Sequence, residues 1–581
     1  MLPADADAPV ALDIVGGYIR PLAAREIRGL VWSGADLIML DTRTGRLALV
    51  DPETDDTRLV NDGRCEPLLA ASGLALTGGS LWFTTGAGLL RADWTDAHLG
   101  DPELVLAVEG ALAVAGWDDH LYLVRGHVLQ VRAIGEPGRV LTEVELPGIG
   151  RKGISATADA LWLTDDLEQT VYCLDRRTLE VRFMVVTPFE GPTAIVARPS
   201  PDGAADVLHV AYFESEPYLK DDPWSDLVWA VRYRDRALIH QLRVHHDPAV
   251  RRAWSTGHRI QMHYYVEVEP DVDVPALADV IWRMSLPIDT PRQCLTDVQP
   301  IGLPFEIVTE PDHAGRAQPV AVFRIPRVDA GTRLLLGWRA TLEVFGIKHL
   351  LTSADLAGAP ELPAALAADY LVDDEDLDLD SPEVAAATAA GLAGLDEDHT
   401  ALDAARALRS HVYDRLEYEM GNQDSPIGVL ARGTGSCGEH VAVIMALYRR
   451  AGLACRVAGR YKCPYQPWTT APLYPDFNHV WVDLYLPGYG WVPVESNPDG
   501  DVVAVGPYPD RFFLGLPWRH VEVGKDISFE RVTYAADGVA PDGSQGASGR
   551  RRRRIGARRL SRNHIRFDVL AEIAPGPAPS A

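Results

Sequence analysis

Between residues 28 and 247 one short apolar signature returns five times, as "DLIML", "SLWFT", "HLYLV", "ALWLT" and "VLHVA". Its second residues, Leu37, Leu81, Leu121, Leu161 and Leu208, are spaced by 44, 40, 40 and 47 positions. Each signature follows a short apolar run such as "GLVWSG" or "GLALTGG", and several precede another, such as "TVYCLDRRT". The alternation has period two, with Gly and Asp at the breaks, which reads as strands and turns rather than helices. Several short strands in a unit of about 40 residues are the mark of a propeller blade. The expected fold of residues 1–247 is therefore a five-bladed β-propeller, with a six-bladed ring recruiting residues 1–27 as the alternative. A solenoid fits less well, because neither end reads as a polar cap.

The chain of 581 residues is too long for one core, so further domains are expected. "QMHYYVEVEP", "DVIWRMSLPI", "VAVFRIPRV" and "TRLLLGWRATLEVFGI" read as strands of a small β-sandwich within residues 248–355. An acidic run from Asp373 to Asp380 follows. It lacks the ligand positions and mid-loop glycine of a calcium loop, so it is read as a solvated linker. Ser381 then Pro382 mark a helix start, and "HTALDAARALRSHVYDRLEYEM" keeps helical spacing, opening an α+β region over 356–535. Residues 536–581 hold "GRRRRRIGARRLSR" after a polar stretch and are read as a flexible Arg-rich tail, with "NHIRFDVLAEI" as a strand candidate inside it.

A net charge of −27 argues against nucleic acid or an anionic membrane as partner. The N-terminal "MLPADADAPVALDIVGGY" shows neither a basic nor an apolar leader region, and no apolar run is long enough to span a bilayer. The six cysteines form no C-x-x-C pair and no framework of disulfide spacing. A cytoplasmic setting is expected, with no cofactor and no metal. The adjacent His245 and His246 have no further ligands nearby in sequence.

One cysteine stands apart. "RGTGSCGEHVAVIMALYRRAG" delivers Cys437 from a glycine-rich turn into an apolar-periodic stretch that ends at Arg449, Arg450 and Gly452. Cys437 thus heads a helix, where unpaired N–H groups and the macrodipole favour thiolate and can donate to an oxyanion. His440, one turn later, is read as a packing residue, and Cys455 and Cys463 as structural thiols. Downstream, "DFNHVWVDLYLPGYGWVPVESNPDG" reads as a hairpin with His479 on one strand and Glu495 at the end of the next. A thiol nucleophile needs an imidazole to handle its proton, and the imidazole needs an acceptor to fix its tautomer. A four-residue loop would put Glu495 on the face opposite His479; a five-residue loop or a bulge would put both on one face. Asn497, of the same parity, is the alternative third member.

These two stretches, with 42 positions from Cys437 to His479 and 16 more to Glu495, resemble the transglutaminase-like superfamily of papain-like cysteine enzymes. The resemblance covers about residues 365–530, including "HVEVGKDISFERV", and the preceding strands look like the β domain of bacterial members. It implies Cys437 as nucleophile, His479 as general base and acid, and Glu495 as orienting carboxylate, where the family usually has aspartate. It also implies an oxyanion or substrate group near the nucleophile, for which Tyr418, Trp481 and Asn497 are the candidates. The chemistry implied is attack on a peptide or carboxamide carbonyl through a thioester. Hydrolysis is favoured over amine transfer, with a protein or peptide as substrate and the propeller as a place for a protein partner. The alternative is a non-catalytic scaffold with a weakened triad.

Overall fold

The computed structural model describes residues 18–61, 65–95, 98–199, 206–219, 231–311, 317–373, 376–420, 424–464, 471–472, 478–524, 529–535 and 552–576. Five consecutive antiparallel sheets occupy the first part of the chain. They begin with the strands Ile27–Ser33, Ser72–Thr77, Ala111–Trp117, Lys152–Ala156 and Pro192–Pro199. Each of these first strands touches the first strand of the next sheet, and Pro192–Pro199 returns to Ile27–Ser33. All five repeated leucines sit in second strands and are at most 2% exposed, so the repeat marks the layers between neighbouring sheets. Tyr18–Ile19 does not start a sixth sheet. It pairs with Val231–Leu242 as the outermost strand of the fifth, tying the two ends of this region together.

Next comes a pair of larger sheets around one apolar core that includes Met262, Tyr264, Trp282, Phe323 and Trp338. The strand Arg252–Val268 is flanked by Leu334–His349 on one side and Ser561–Ile573 on the other. In the facing sheet Leu277–Ser285 lies between Ala317–Val328 and Glu530–Ala535, which in turn pairs with Arg552–Ile555. Two expectations are corrected here. The flexible-tail reading does not hold for residues 552–573: the strand expected at "NHIRFDVLAEI" is present as Ser561–Ile573, it and Arg552–Ile555 extend the two sheets, and Glu530–Ala535 belongs to these sheets rather than to the α+β region. The physical reason is edge satisfaction: Arg252–Val268 is buried along most of its 17 residues, and each of its edges is paired. The start of the Arg-rich run, up to residue 551, lies outside the described residues.

The α+β region packs the helices Pro382–Leu392, Ala401–Arg415 and Cys437–Arg450 against a four-stranded sheet, ordered Gly490–Val494, Asn478–Leu486, Cys455–Lys462, His520–Glu522. Asp373, at the head of the acidic run, accepts from the backbone of Leu377 and Leu379 and so closes its own loop. Hydrogen bonds cross between the regions. Trp518 Nε1 donates to Pro188 O at 3.0 Å, Asp510 N to Glu168 Oε2 at 2.8 Å, and Ser255 Oγ to Val186 O at 2.5 Å. The buried pair His240 and Glu572 joins the fifth sheet to Ser561–Ile573 at 2.7 Å.

Several imidazoles are buried neutral within this frame. Burial holds His209 down to about 4 and His349 to about 3, and pushes His258, its ring 3.9 Å from that of Trp518, well below its usual value. An imidazole with a depressed folded pKa takes its proton only on unfolding. Its contribution is therefore complete above the unfolded value of 6.5 and is lost as pH falls toward the folded value. Between pH 7 and pH 5, His209 and His349 together should remove about 4 kcal/mol. Glu168, which burial raises to about 7, takes up its proton over the same interval and offsets about 2 kcal/mol. His258, His479 and His520, also held low by burial, act with His209 and His349, and ordinary carboxylates titrate near pH 4, below the interval. Scanning calorimetry should show the transitions moving down by roughly 5–10 °C over that interval, and a pH-independent profile would contradict the buried-neutral assignment.

Candidate active site

The helix Cys437–Arg450 starts abruptly, for local reasons. The preceding helix Pro426–Arg432 ends on Gly433 in the left-handed region, at φ 78°. Ser436 is the N-cap of the next, and Glu439 Oε2 accepts from Ser436 N at 2.8 Å in a capping box. Arg432 pairs with the other Glu439 oxygen at 2.7 Å, fixing the turn that carries the cysteine. Cys437 is the first helical residue and is partly exposed. The backbone N–H groups of Val480, the neighbour of His479, and of Gly438 lie close enough to its sulfur to favour the thiolate.

The hairpin settles the parity question. Leu486 pairs with Gly490, so three residues form the loop, an odd number. Continuing the pairing of Val482 with Val494 sets Trp481 opposite Glu495 and puts Glu495 on the same face as His479 without a bulge. His479 Nε2 meets Glu495 Oε1 in a short hydrogen bond, and both side chains are buried. This leaves the other ring nitrogen, Nδ1, for a substrate-side proton. Glu495 also accepts from Ser496 N and Oγ, and Tyr413 OH donates to its carbonyl at 3.2 Å. Beyond it, Asp499 is clamped between Arg409 and Arg511 at 3.2 and 2.8 Å, which anchors the following loop.

The electrostatics depart from the sequence expectation in one respect. Burial pushes the Cys437 thiol up from its ordinary value, and this outweighs the Val480 and Gly438 N–H groups and Lys462, which act to lower it. Burial likewise holds His479 below the usual imidazole range, against the pull of Glu495. For Glu495 burial acts upward, but His479, Lys462 and His520 together hold the carboxyl well below its usual range. The resting site is thus a neutral thiol, a neutral imidazole and an ionised carboxylate. The helix terminus alone does not deliver a thiolate, because desolvation of the charged form costs more.

Tyr418 is 41% exposed and its strand pairs in parallel with Thr434–Gly435, beside the cysteine turn. Trp481 is fully buried; its ring lies 5.1 Å from that of His520, and a Cβ on Gly459 would strike it at 2.6 Å. It is therefore a floor under the imidazoles and does not reach a substrate. Asn497 is turned away, its amide bonded to Asp501 Oδ2 and its oxygen to Ser496 Oγ. His440 packs inside with Nδ1 on Ser436 O.

Sequence reasoning passed over two members of the cluster. His520 Nε2 lies 2.7 Å from Glu495 Oε2, and Lys462, paired with His520 across the sheet, is close enough to influence both Cys437 and Glu495. Among the described residues His479, Glu495 and His520 bring three donor atoms within 4.8 Å of one another. The Nε2 atom of each imidazole meets its own oxygen of Glu495.

Residues 386–496 match the family model of the transglutaminase-like superfamily. The chain carries a transglutaminase-like core. The match takes in Cys437, His479 and Glu495, and stops before His520. No curated protein matches the chain. Among solved structures it is similar to a "Putative Cysteine Protease from Cytophaga hutchinsonii", at 13% identity over 57% of this chain and 96% of that one, with a TM-score of 0.37. It is also similar to a glutaminyl cyclase of Myxococcus xanthus, at 12% identity over 39% and 94% of the two chains and a TM-score of 0.28. No described helix is long and apolar enough to cross a membrane.

Proposed function

We propose that the protein is a cysteine acyl-enzyme hydrolase acting on peptide or carboxamide bonds, with Cys437, His479 and Glu495 as its triad. The observation that carries this reading is the bond from His479 to Glu495 on the strand whose Val480 N–H reaches the Cys437 sulfur. With both partners neutral at rest, the thiol proton passes to His479 as sulfur attacks the carbonyl carbon. The leaving amine then takes that proton, and a thioester remains. Water, deprotonated by His479, releases the acid and restores the thiol. The Gly438 N–H at the helix end is suited to the oxyanion, and exposed Tyr418 to the substrate or oxyanion. Hydrolysis is preferred to transfer because water is always available as the acceptor of the acyl group.

The ring of five sheets is read as a five-bladed β-propeller, supported by the cyclic contact of its first strands. Loops beside its fourth sheet meet the α+β region through Glu168 to Asp510 and Pro188 to Trp518, and its surface is proposed as the place for a protein partner. All six cysteines are free, in keeping with a reducing cytoplasm.

The test needs no natural substrate. With p-nitrophenyl acetate, a burst of one equivalent and a single acetyl on Cys437 by peptide mass mapping are expected. That acetyl should decay at a rate that an added primary amine does not raise. Acetylation of Cys437 no faster than of Cys65 or Cys294 would leave the scaffold reading in its place.

A further inference from the structure

The carboxylate of Glu495 serves two imidazoles, and only one of them belongs to the triad. We propose that His520 is a positioning residue of this site, holding the second oxygen of Glu495 so that the first is aimed at His479, which is what allows a glutamate to do the work of the usual aspartate. The inference rests on the triad reading above and adds a residue that lies outside the matched family span.

The argument begins with chain length. Glutamate has one more rotatable bond than aspartate, so a carboxylate tethered by it has more orientations to lose. A buried carboxylate with one oxygen unpaired would be both costly and free to swing. Here Glu495 is 0% exposed and neither oxygen is left over: Oε1 meets His479 and Ser496, and Oε2 meets His520 at 2.7 Å. The two rings approach from opposite sides of the strand Cys455–Lys462. His479 pairs with Arg460 and His520 with Lys462, and the rings sit 5.8 Å apart at 73°. The ring of His520 is fixed in turn against Trp481 and Phe512.

His520 is suited to hold and not to shuttle. Its Nδ1 is buried without a hydrogen-bond partner, so the neutral ring with the proton on Nε2 is the form that fits. Burial pushes its pKa well below the ordinary value, with Lys462 and His479 acting in the same direction and Glu495 opposing. It therefore stays a neutral donor through the range in which His479 works. Its sequence signal was slight: one histidine in "RHVEV", with nothing to point at a residue 25 positions earlier.

The test uses the full chain and iodoacetamide, read as the rate of alkylation of Cys437 against pH. His520→Phe keeps a ring and removes the donor; His520→Gln restores a donor at nearly the same reach. The expected result is a loss of up to about 10²-fold in the Phe variant, the effect of misplacing a reacting group by roughly 1 Å, with recovery to within about 3-fold in the Gln variant. The pH midpoint of the Phe variant should also move while its melting temperature stays close to that of the Gln variant. If the two variants alkylate alike, or lose rate only in step with stability, His520 is structural and the proposal falls. The wild type and His479→Ala serve as the reference pair. If His479→Ala leaves alkylation unchanged, the triad reading fails first; if it slows alkylation and His520→Phe does not, only the positioning role fails.

Discussion

Cys437→Ala is expected to abolish acyl transfer from p-nitrophenyl acetate, and His479→Ala to reduce it by at least about 10³-fold, with the fold intact by circular dichroism. The neutral resting pair makes the two losses comparable. A thiol that is pushed up by burial reacts only if a base removes its proton during attack, so nucleophile and base act as a unit. Glu495→Gln should be nearly as damaging, at about 10³-fold. A glutamine presents one acceptor oxygen to two imidazole donors, so either His479 or His520 must face an NH₂ group and give up its tautomer. The pH profile carries a further signature. His479 must be unprotonated to accept the thiol proton, and its pKa lies below the ordinary 6.5, so the acid limb of kcat/KM should fall below pH 6.5. A Cys437→Ala protein with wild-type turnover, or an acid limb above pH 7, would remove the triad from the mechanism.

What the sequence made legible depended on periodicity and on distance along the chain. The five leucine signatures were readable because every sheet repeats the same alternation, and each one landed in the second strand of its sheet. The closing strand was not, since Tyr18–Ile19 is two residues long and has no period to detect. Cys437 was readable from its capping signals, which act within four residues. Glu495 was readable as a candidate, and its face followed once the loop was counted. The charge state of the thiol was not readable, because it depends on how much protein surrounds the sulfur. Trp481 looked like a substrate contact because it shares a face with His479, but that face is covered by His520 and Leu516. His520 itself comes from a strand that reaches the site only through pairing with Cys455–Lys462.

The C-terminal strand, expected at "NHIRFDVLAEI" but inside a flexible tail, yields the second strong expectation. A run of arginines suggests a solvated tether, and charge composition dominated the reading of residues 552–573. Within the strand, however, alternate positions are apolar: Ile565, Phe567 and Val569 turn toward the sandwich core, and Leu560 precedes them fully buried. Their partner, Arg252–Val268, lies some 300 positions earlier, from Gly257 opposite Ile573 to Val268 opposite Ser561. Deleting residues 552–581 should therefore do far more than trim a tail. At about 1.5–3 kcal/mol for each of the fully buried Leu560 and Phe567 and about half that for the partly buried Ile565 and Val569, the four contribute roughly 5–9 kcal/mol, which is comparable to the whole stability of a typical domain. The deletion also bares one edge of a 17-residue strand and breaks the bond from Glu572 to His240. The truncated chain is expected to aggregate or to lose its near-ultraviolet circular dichroism and cooperative melting. Phe567→Ala, which removes one ring at about 3–5 kcal/mol, gives a soluble intermediate case whose melting temperature should fall by several degrees. A truncated protein that melts cooperatively within about 2 °C of the full chain would mean that the strand is a passive addition to the sandwich rather than part of its core.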